Sequence, residues 1–248
     1  MAVYYNMTDI CKPASVQGFW YMDETVPGSV IDASANLRHG AVTGAITPNA
    51  GGKINYCLQM GDAHGQFNCV DFGVIPLNDD RIFSISTWIN PTENTWSNDG
   101  LLFRQNNGAP GYDGYFVGWS WNTPAGKIMV GIGSDIFLDS VQTFNIGEWA
   151  HLVVVFNGTG NPIKVYKNGN GETITASQPA IVQPSASFMA GALDWNYSYY
   201  GYIDEPIYWD VALSDVDALD LYSGGAPQRS GGVSYVPRQS GSCGLHIF

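Results

Sequence analysis

Charged residues are scarce in this chain of 248 residues: Asp, Glu, Lys and Arg together make up only 13% of it. The usual share in soluble domains is about twice as large. Lysine and arginine contribute 10 residues against 22 acidic ones, which gives a net charge of −12. Because the positive charges are few and scattered, they do not coat a phosphate backbone, and we expect no nucleic-acid partner.

Long apolar runs are also missing, and we expect no secretory leader. No run approaches the roughly 18 apolar residues of a membrane-spanning helix, so we expect no membrane span. Residues 1–9 lack the basic start and apolar core of a signal sequence. The sequence therefore predicts synthesis in a cytoplasm, unless a mature start has been given a new methionine.

Cysteine is the third scarce component. The chain has four, Cys11, Cys57, Cys69 and Cys243, too few for a disulfide scaffold and without the C-x-x-C spacing of zinc sites. Free thiols are the default in a reducing compartment. Whether any of the four form disulfides is left open.

What the chain has in quantity is short apolar runs, with 45% hydrophobic residues, 13% aromatics, 30 glycines and 13 prolines. Runs of β-branched and aromatic residues bounded by turn clusters predict strands and an all-β fold. Residues 81–90 alternate, and residues 149–156 are apolar on both faces, which predicts a central strand covered on both sides. Residues 214–222 form the only convincing helix, with Ser214 as its cap and Val216, Leu219 and Tyr222 at helical spacing.

The C-terminal residues have a different composition. Residues 224–248 are rich in Gly, Ser and Pro and contain two arginines and no acid. Because ordering such a segment costs about 1–2 kcal/mol per residue, it stays ordered only where contacts offset that cost. We expect residues 1–13 and 223–248 to be extended arms. The C-terminal arm should dock on its own or a neighbouring acidic sandwich, with Phe248 at least half buried, and deleting residues 240–248 should weaken assembly.

Five segments in order resemble the laminin-G-like branch of the concanavalin A-like lectin/glucanase jelly-roll family. They are Gly18 to Glu24, Asp32 to Gly40, Phe83 to Pro91, Gly147 to Asn157 continued by Val165 to Gly169, and Ile203 to Ser214. The resemblance covers roughly residues 14–222. It implies a two-sheet antiparallel jelly-roll sandwich with one short C-terminal helix. In such a fold Trp88, Trp149, Val153 and Val155 should be buried.

The resemblance also makes the first and last core strands neighbours. Asp23 and Asp204 then approach each other and share a structural Ca²⁺, which prefers several hard oxygen ligands. The alternative, that both acids cap strand ends in solvent, is equally open. Cys11 and Cys243 come to the same side of the sandwich, where two free thiols are favoured unless the protein matures outside the cell.

Catalytic patterns are not found. Glucanase relatives of this fold place acids two apart on one strand, so that a nucleophile and an acid flank the glycosidic bond. None of the five glutamates has that spacing, and the adjacent Asp204 and Glu205 should face opposite sides of a strand. The three aspartates of the helix should be solvated, and His151 should be a structural histidine. We therefore expect a protein that is not an enzyme.

Aromatic clusters favour a binding function instead. Rings that stack on sugar faces, with Asp and Asn to hold hydroxyls, are typical of glycan sites, and Tyr and Trp are enriched in recognition surfaces. The sequence predicts a ligand site on loops at Trp96, Asp194, Trp195, Asn196 and Tyr199. Trp119, Trp121 and Tyr202 are expected to be ordinary core residues.

These observations together predict a binding or structural module. Laminin-G-like domains occur in phage decoration and tail proteins, so we expect a virion-surface protein with a lectin-like face. Its terminal arms should bind neighbouring subunits. The alternatives are a free-standing, extracellular lectin-like protein and, less favoured, a glycoside hydrolase relative. Fold analogy alone does not decide among them.

Overall fold

The computed structural model describes residues 10–26, 28–61, 67–93, 100–106, 113–120, 126–133, 135–191 and 198–225. Most of the two predicted arms, residues 1–9 and 226–248, lies outside these ranges, and so do the predictions made for them. Within the described ranges no helix has the length and apolarity needed to cross a membrane.

Strands dominate the described residues. In chain order they are β1 Val16–Phe19, β2 Ser29–Val30, β3 Gly40–Thr43, β4 Thr47–Asn49, β5 Cys57–Gln59, β6 Cys69–Asp71, β7 Ile82–Pro91, β8 Leu101–Asn106, β9 Gly114–Trp119, β10 Lys127–Ile132, β11 Ile136–Thr143, β12 Ala150–Asn157, β13 Ile163–Lys167, β14 Asn170–Thr175, β15 Met189–Ala190 and β16 Gly201–Trp209. A short helix, α1 (Asp215–Asp220), follows the last strand and runs into a wider turn, Leu221–Gly225.

The strands form two antiparallel sheets. Sheet 1 has the order β14-β13-β12-β7-β16-β5-β4, with β1 also paired to β16, and sheet 2 has the order β11-β10-β9-β8-β15-β6-β3-β2. The predicted two-sheet sandwich is confirmed, and so is the adjacency of the first and last core strands, since Phe19 lies opposite Ile207. Strand β12 lies between β13 and β7 and is therefore central, as predicted.

The main core lies between the two sheets. On β12, Leu152, Val154 and Phe156 face it, while Val153 and Val155 belong to a second cluster on the outer face of sheet 1. This double coverage is why the strand is apolar on both faces.

The second cluster covers part of the outer face of sheet 1 with the chain around β1 and with α1. The members are Ile10, Cys11, Val16, Phe19, Tyr21, Val153, Val155, Tyr166, Ile207, Trp209, Leu213, Ala218 and Leu221. Trp209 is fully buried there and its Nε1 donates to the Cys11 carbonyl at 2.9 Å. The segment before β1 is thereby fixed to the last strand.

Helix α1 begins at the predicted cap, but the side of the helix that is buried is not the predicted apolar stripe. Ser214 accepts from the Asp217 amide, and the Asp217 carboxylate accepts from the Ser214 amide, which is a complete capping box. Asp217, expected to be solvated, is 5% exposed and forms an ion pair with Lys12 at 2.8 Å. Ala218 and Leu221 pack inward, into the second cluster, instead of the predicted stripe.

The described cysteines are free and buried: Cys11, Cys57 and Cys69. Burial, helped by the nearby carboxylates of Asp204 and Asp23, raises the pKa of the Cys57 thiol to about 12. A thiol held in this neutral form is a poor nucleophile. The proposed partner of Cys11, Cys243, lies outside the described residues.

Candidate functional site

The end of sheet 1 that the second cluster leaves uncovered carries a row of aromatic and amide side chains. Tyr202 lies opposite Asn90 on one neighbouring strand and opposite Gln59 on the other. Trp149 completes the row, because the next residue, Ala150, is paired with the residue before Asn90. These four half-buried residues, Trp149, Asn90, Tyr202 and Gln59, are called the platform below.

The alternation of the strands fixes the direction of the platform. Ile89, Ile203 and Leu58, each adjacent to a platform residue, all point into the core between the sheets. Their neighbours therefore point outward. The rings of Trp149 and Tyr202 have centroids 6.3 Å apart at an interplanar angle of 45°, and they flank Asn90.

Polar atoms without partners concentrate in the platform and in the row of residues next to it. In the next row His151 lies opposite Trp88, and Trp88 opposite Asp204. Trp88 Nε1, His151 Nδ1, Asp204 Oδ1 and Asn90 Oδ1 are shielded from solvent and make no hydrogen bond. Since most buried polar atoms in native proteins are paired, such a group of neighbours indicates a place for water or for a ligand.

Lys53 and Ile54 close this second row from outside. The Lys53 ammonium lies 4.5 Å from the centroid of the Trp88 ring, a cation–π contact. Ile54 is 7% exposed and packs with Trp88 and Trp149. Burial lowers the pKa of His151 to about 3, so that the imidazole is neutral. The predicted structural role of His151 agrees with this placement.

The two predicted calcium ligands, Asp23 and Asp204, lie near enough for the charge of Asp23 to act on Asp204. Ile54 donates its amide to Asp204 Oδ2 at 2.8 Å, and Tyr56 donates to Asp23 Oδ1 at 3.1 Å. Burial, with the Asp23 charge as a further cause, raises the pKa of Asp204 well above its usual range. The fully buried Asp204 therefore does not cap a strand end in solvent. Within the described ranges, however, no three His, Cys, Asp or Glu side chains gather as a metal site.

The predicted loop site is only partly described. Trp96, Asp194, Trp195 and Asn196 lie outside the described residues. Tyr199 lies within them, and its expected loop exposure is wrong: the side chain is fully buried, and its ring is 6.2 Å from that of Trp119. It belongs to the main core.

Two further expectations about aromatic residues are wrong. Trp149, expected in the core, and Tyr202, also expected there, are both half-buried on the outer face. Trp119 is 1% exposed, as expected, and Trp121 lies outside the described residues. The signal that sequence reasoning missed lies in the alternation of β7. Asn90 lies on the same face of β7 as Trp88. A polar residue at that position marks where the segments packed on that face end.

Comparison with known proteins agrees with this architecture. The family described as the concanavalin A-like lectin/glucanases superfamily, Laminin_G_3, matches residues 63–217, more than half of the chain. No curated protein sequence gives a significant match.

Similar solved structures come from several kinds of protein. Domain 4 of AbnA, an extracellular GH43 arabinanase of Geobacillus stearothermophilus solved with arabinotriose, has a TM-score of 0.64 at 21% identity and covers 84% of this chain and 98% of that one. The binding domain of botulinum neurotoxin DC, solved in complex with SialylT, has a TM-score of 0.58 at 13% identity, covering 84% and 51%. Trypanosoma rangeli sialidase has a TM-score of 0.58 at 11% identity, covering 84% and 32%.

The chain thus spans nearly the whole arabinanase domain but only about half of the toxin binding domain and a third of the sialidase chain. At these identities the likeness concerns the fold. Together with the family match and the two antiparallel sheets, it shows that this chain belongs to the concanavalin A-like lectin/glucanase superfamily, in its Laminin_G_3 family.

Proposed function

We propose that this protein is a non-enzymatic carbohydrate-binding module and that the platform contacts the sugar. The observation that carries the proposal is the pair of half-buried rings, Trp149 and Tyr202, with an amide between them and a second amide beside them. The fold's occurrence in an arabinanase domain solved with arabinotriose supports the same ligand class.

The chemistry of the platform suits a sugar. The apolar face of a pyranose or furanose stacks on a ring, and its hydroxyls both donate and accept hydrogen bonds. Asn90 and Gln59 each offer a carbonyl acceptor and an NH₂ donor. A ligand hydroxyl that reached Asn90 Oδ1 would pair an atom that is now shielded and without a partner, and leaving such an atom unpaired costs about 1–3 kcal/mol.

The carboxylates support a function other than hydrolysis. Glu24, Glu148 and Glu172 accept hydrogen bonds from Ile31, Asn145 and Val141 respectively, within or between surface segments. Asp204 is fully buried and Glu205 is 2% exposed. A glycosidase needs two carboxyl groups about 5–10 Å apart on either side of an accessible bond. Hydrolysis of a glycan that is abolished by one acidic substitution would contradict the proposal.

A virion-surface role, with terminal arms that bind neighbouring subunits, remains a more specific proposal. It depends on the arms, residues 1–13 and 223–248, most of which lies outside the described ranges. A purified chain that stays monomeric, and loses no assembly on removal of residues 240–248, would favour the free-standing lectin-like alternative.

Sugar binding at the platform is tested by substitution. A glycan array identifies ligands, and calorimetry with one of them compares Trp149→Ala and Tyr202→Ala with the unchanged chain. We expect each substitution to weaken binding about tenfold or more, because a stacked ring contributes roughly 1.4 kcal/mol or more at a binding hot spot.

Phe137→Ala is the matched control. Phe137 is half-buried on β11 in sheet 2 and packs with Phe116, so its loss removes an aromatic side chain far from the platform. We expect its affinity to be unchanged. If only Phe137→Ala weakens binding, the sugar is held by the other sheet and the platform assignment is wrong.

We also propose that the Asp23 and Asp204 carboxylates hold a structural calcium. The residues fit in one respect, since Asp204 Oδ1 is a buried acceptor without a partner beside a second carboxylate. A calcium ion that binds only the folded chain should raise its melting temperature relative to EDTA. Asp23→Asn should reduce that difference. Equal melting temperatures in calcium and in EDTA would end the proposal.

A further inference from the structure

The apolar stripe of α1 faces solvent. Val216 is 57% exposed, Leu219 50% and Tyr222 37%. They recur every three residues, so they lie on one side of the helix, opposite the buried Ala218 and Leu221. Three exposed apolar side chains on one side of a short helix form an apolar surface on which a partner can dock.

Two residues of the stripe also contact neighbouring parts of the protein. Leu219 contacts the β13–β14 turn, where a side chain on Gly169 would lie 2.8 Å from Leu219 Cδ1. The ring of Tyr222 is 5.9 Å from that of Trp88. The stripe therefore continues the outer surface of sheet 1 and is held by the capping box and the Lys12–Asp217 ion pair.

We infer that the stripe is the docking site of this chain's own C-terminal segment, through Val233, Tyr235 and Val236. Two properties of the segment favour it over a second copy or another protein. It follows α1 directly, a few residues beyond the turn that ends at Gly225. Its apolar residues stand between Arg229 and Arg238 with no acid nearby, whereas α1 contains three aspartates and no basic residue.

The reach of the segment is sufficient. Val216 to Tyr222 spans about 9 Å along a helix that rises 1.5 Å per residue. A chain of the length that separates Gly225 from Val233 has an average end-to-end distance of roughly 15 Å when it is Gly- and Ser-rich. Tethering at this length gives an effective concentration in the millimolar range, so that a contact too weak to recruit a separate protein is occupied within one chain.

The charges play the smaller part. Asp215 is already bound by Lys164 at 2.7 Å and by the Tyr166 hydroxyl, and Asp217 by Lys12. The arginines thus orient the segment on an acidic surface, and the apolar contact holds it. The high cost of ordering a Gly- and Ser-rich chain limits the docked part to the residues that touch the stripe.

Amide hydrogen exchange across α1 tests this inference. The full chain is compared with a chain ending at Gly225, with V233S/Y235S, and with L245S/I247S as a matched control in the same segment. We expect exchange about tenfold slower in the full chain and the control than in the other two, which corresponds to a docking free energy of about 1.4 kcal/mol. Melting temperatures of the sandwich should differ little, because the substitutions lie outside it.

Three outcomes would overturn the inference. Equal exchange in all four chains would show that the stripe has no partner in this protein. Loss of protection in L245S/I247S but not in V233S/Y235S would assign the docking to the last residues. Protection that disappears on dilution, together with a dimer in light scattering, would assign it to a second copy. Sugar binding by the platform should be the same in all four chains, so that failure here leaves that proposal untouched.

Discussion

Replacing Asp32 with alanine is expected to destabilise the protein by about 4 kcal/mol, measured as the free energy of unfolding in urea. Asp32 is 2% exposed. Its two oxygens accept four hydrogen bonds, from the amides of Phe19, Ser34 and Arg38 and from the Ser34 hydroxyl, at 2.7–2.9 Å. Alanine would leave three buried or half-buried amides without an acceptor and release the loop after β2 from the first core strand.

Asp71→Ala is the matched control for this prediction. Asp71 is half-buried on β6 and accepts from the Gly73 amide at 2.8 Å. Removing it should cost about 1 kcal/mol. The loss of unfolding free energy for Asp32→Asn should lie between those of Asp32→Ala and Asp71→Ala. The amide keeps one acceptor oxygen but turns an NH₂ group toward a donor. A loss for Asp32→Ala no larger than for Asp71→Ala would contradict the role given to this carboxylate.

Acid should destabilise the protein through His151. Burial lowers the pKa of this fully buried imidazole in the folded state to about 3, against 6.5 as the ordinary value. The unfolded chain therefore binds a proton that the folded chain does not, and stability falls as the pH drops from about 6.5 toward 3. Over two pH units within that window the loss is about 2–3 kcal/mol, readable as a shift of the urea midpoint.

His151→Phe isolates this effect. Phenylalanine retains a ring beside Trp88, whose centroid lies 5.0 Å from that of the imidazole, but it binds no proton. Asp204 acts in the opposite sense, since its raised pKa contributes stability at low pH that is lost as the pH rises through the folded value. That contribution is common to both chains, so the difference between them reports His151. Parallel pH profiles of the two chains would rule out this account.

Several local features were readable from the sequence. The alternation in residues 81–90 and the apolar run 149–156 became β7 and β12, adjacent in sheet 1. Ser214 caps α1 as its position predicts. The two strands and the helix cap depend on short-range pattern, which the local sequence contains. The pairing of the first and last core strands was expected from the resemblance to a known family, which carries strand order as well as strand type.

The misplaced residues share one cause. Alternation tells which residues share a face, but it does not tell what covers that face. Trp149 and Tyr202 are as apolar as core residues, yet the chain around β1 and helix α1 cover only part of the outer face of sheet 1 and leave them half-exposed. Tyr199 shows the opposite difference. It was expected to be exposed on a loop, but its position next to β16 brings its ring against that of Trp119.

By itself, then, the sequence determined the strands, the central position of residues 149–156 and the helix cap, because each follows from periodicity or from contacts within a few residues. The two-sheet sandwich was implied by the resemblance to a known family. The tertiary structure alone decided which outer surfaces are covered. It brought Asn90 and Gln59 beside Tyr202 across strands far apart in the chain. It also turned Ala218 and Leu221 of the helical segment inward and left Val216, Leu219 and Tyr222 exposed. Such long-range packing depends on all the segments that compete for one surface, and no local pattern records that competition.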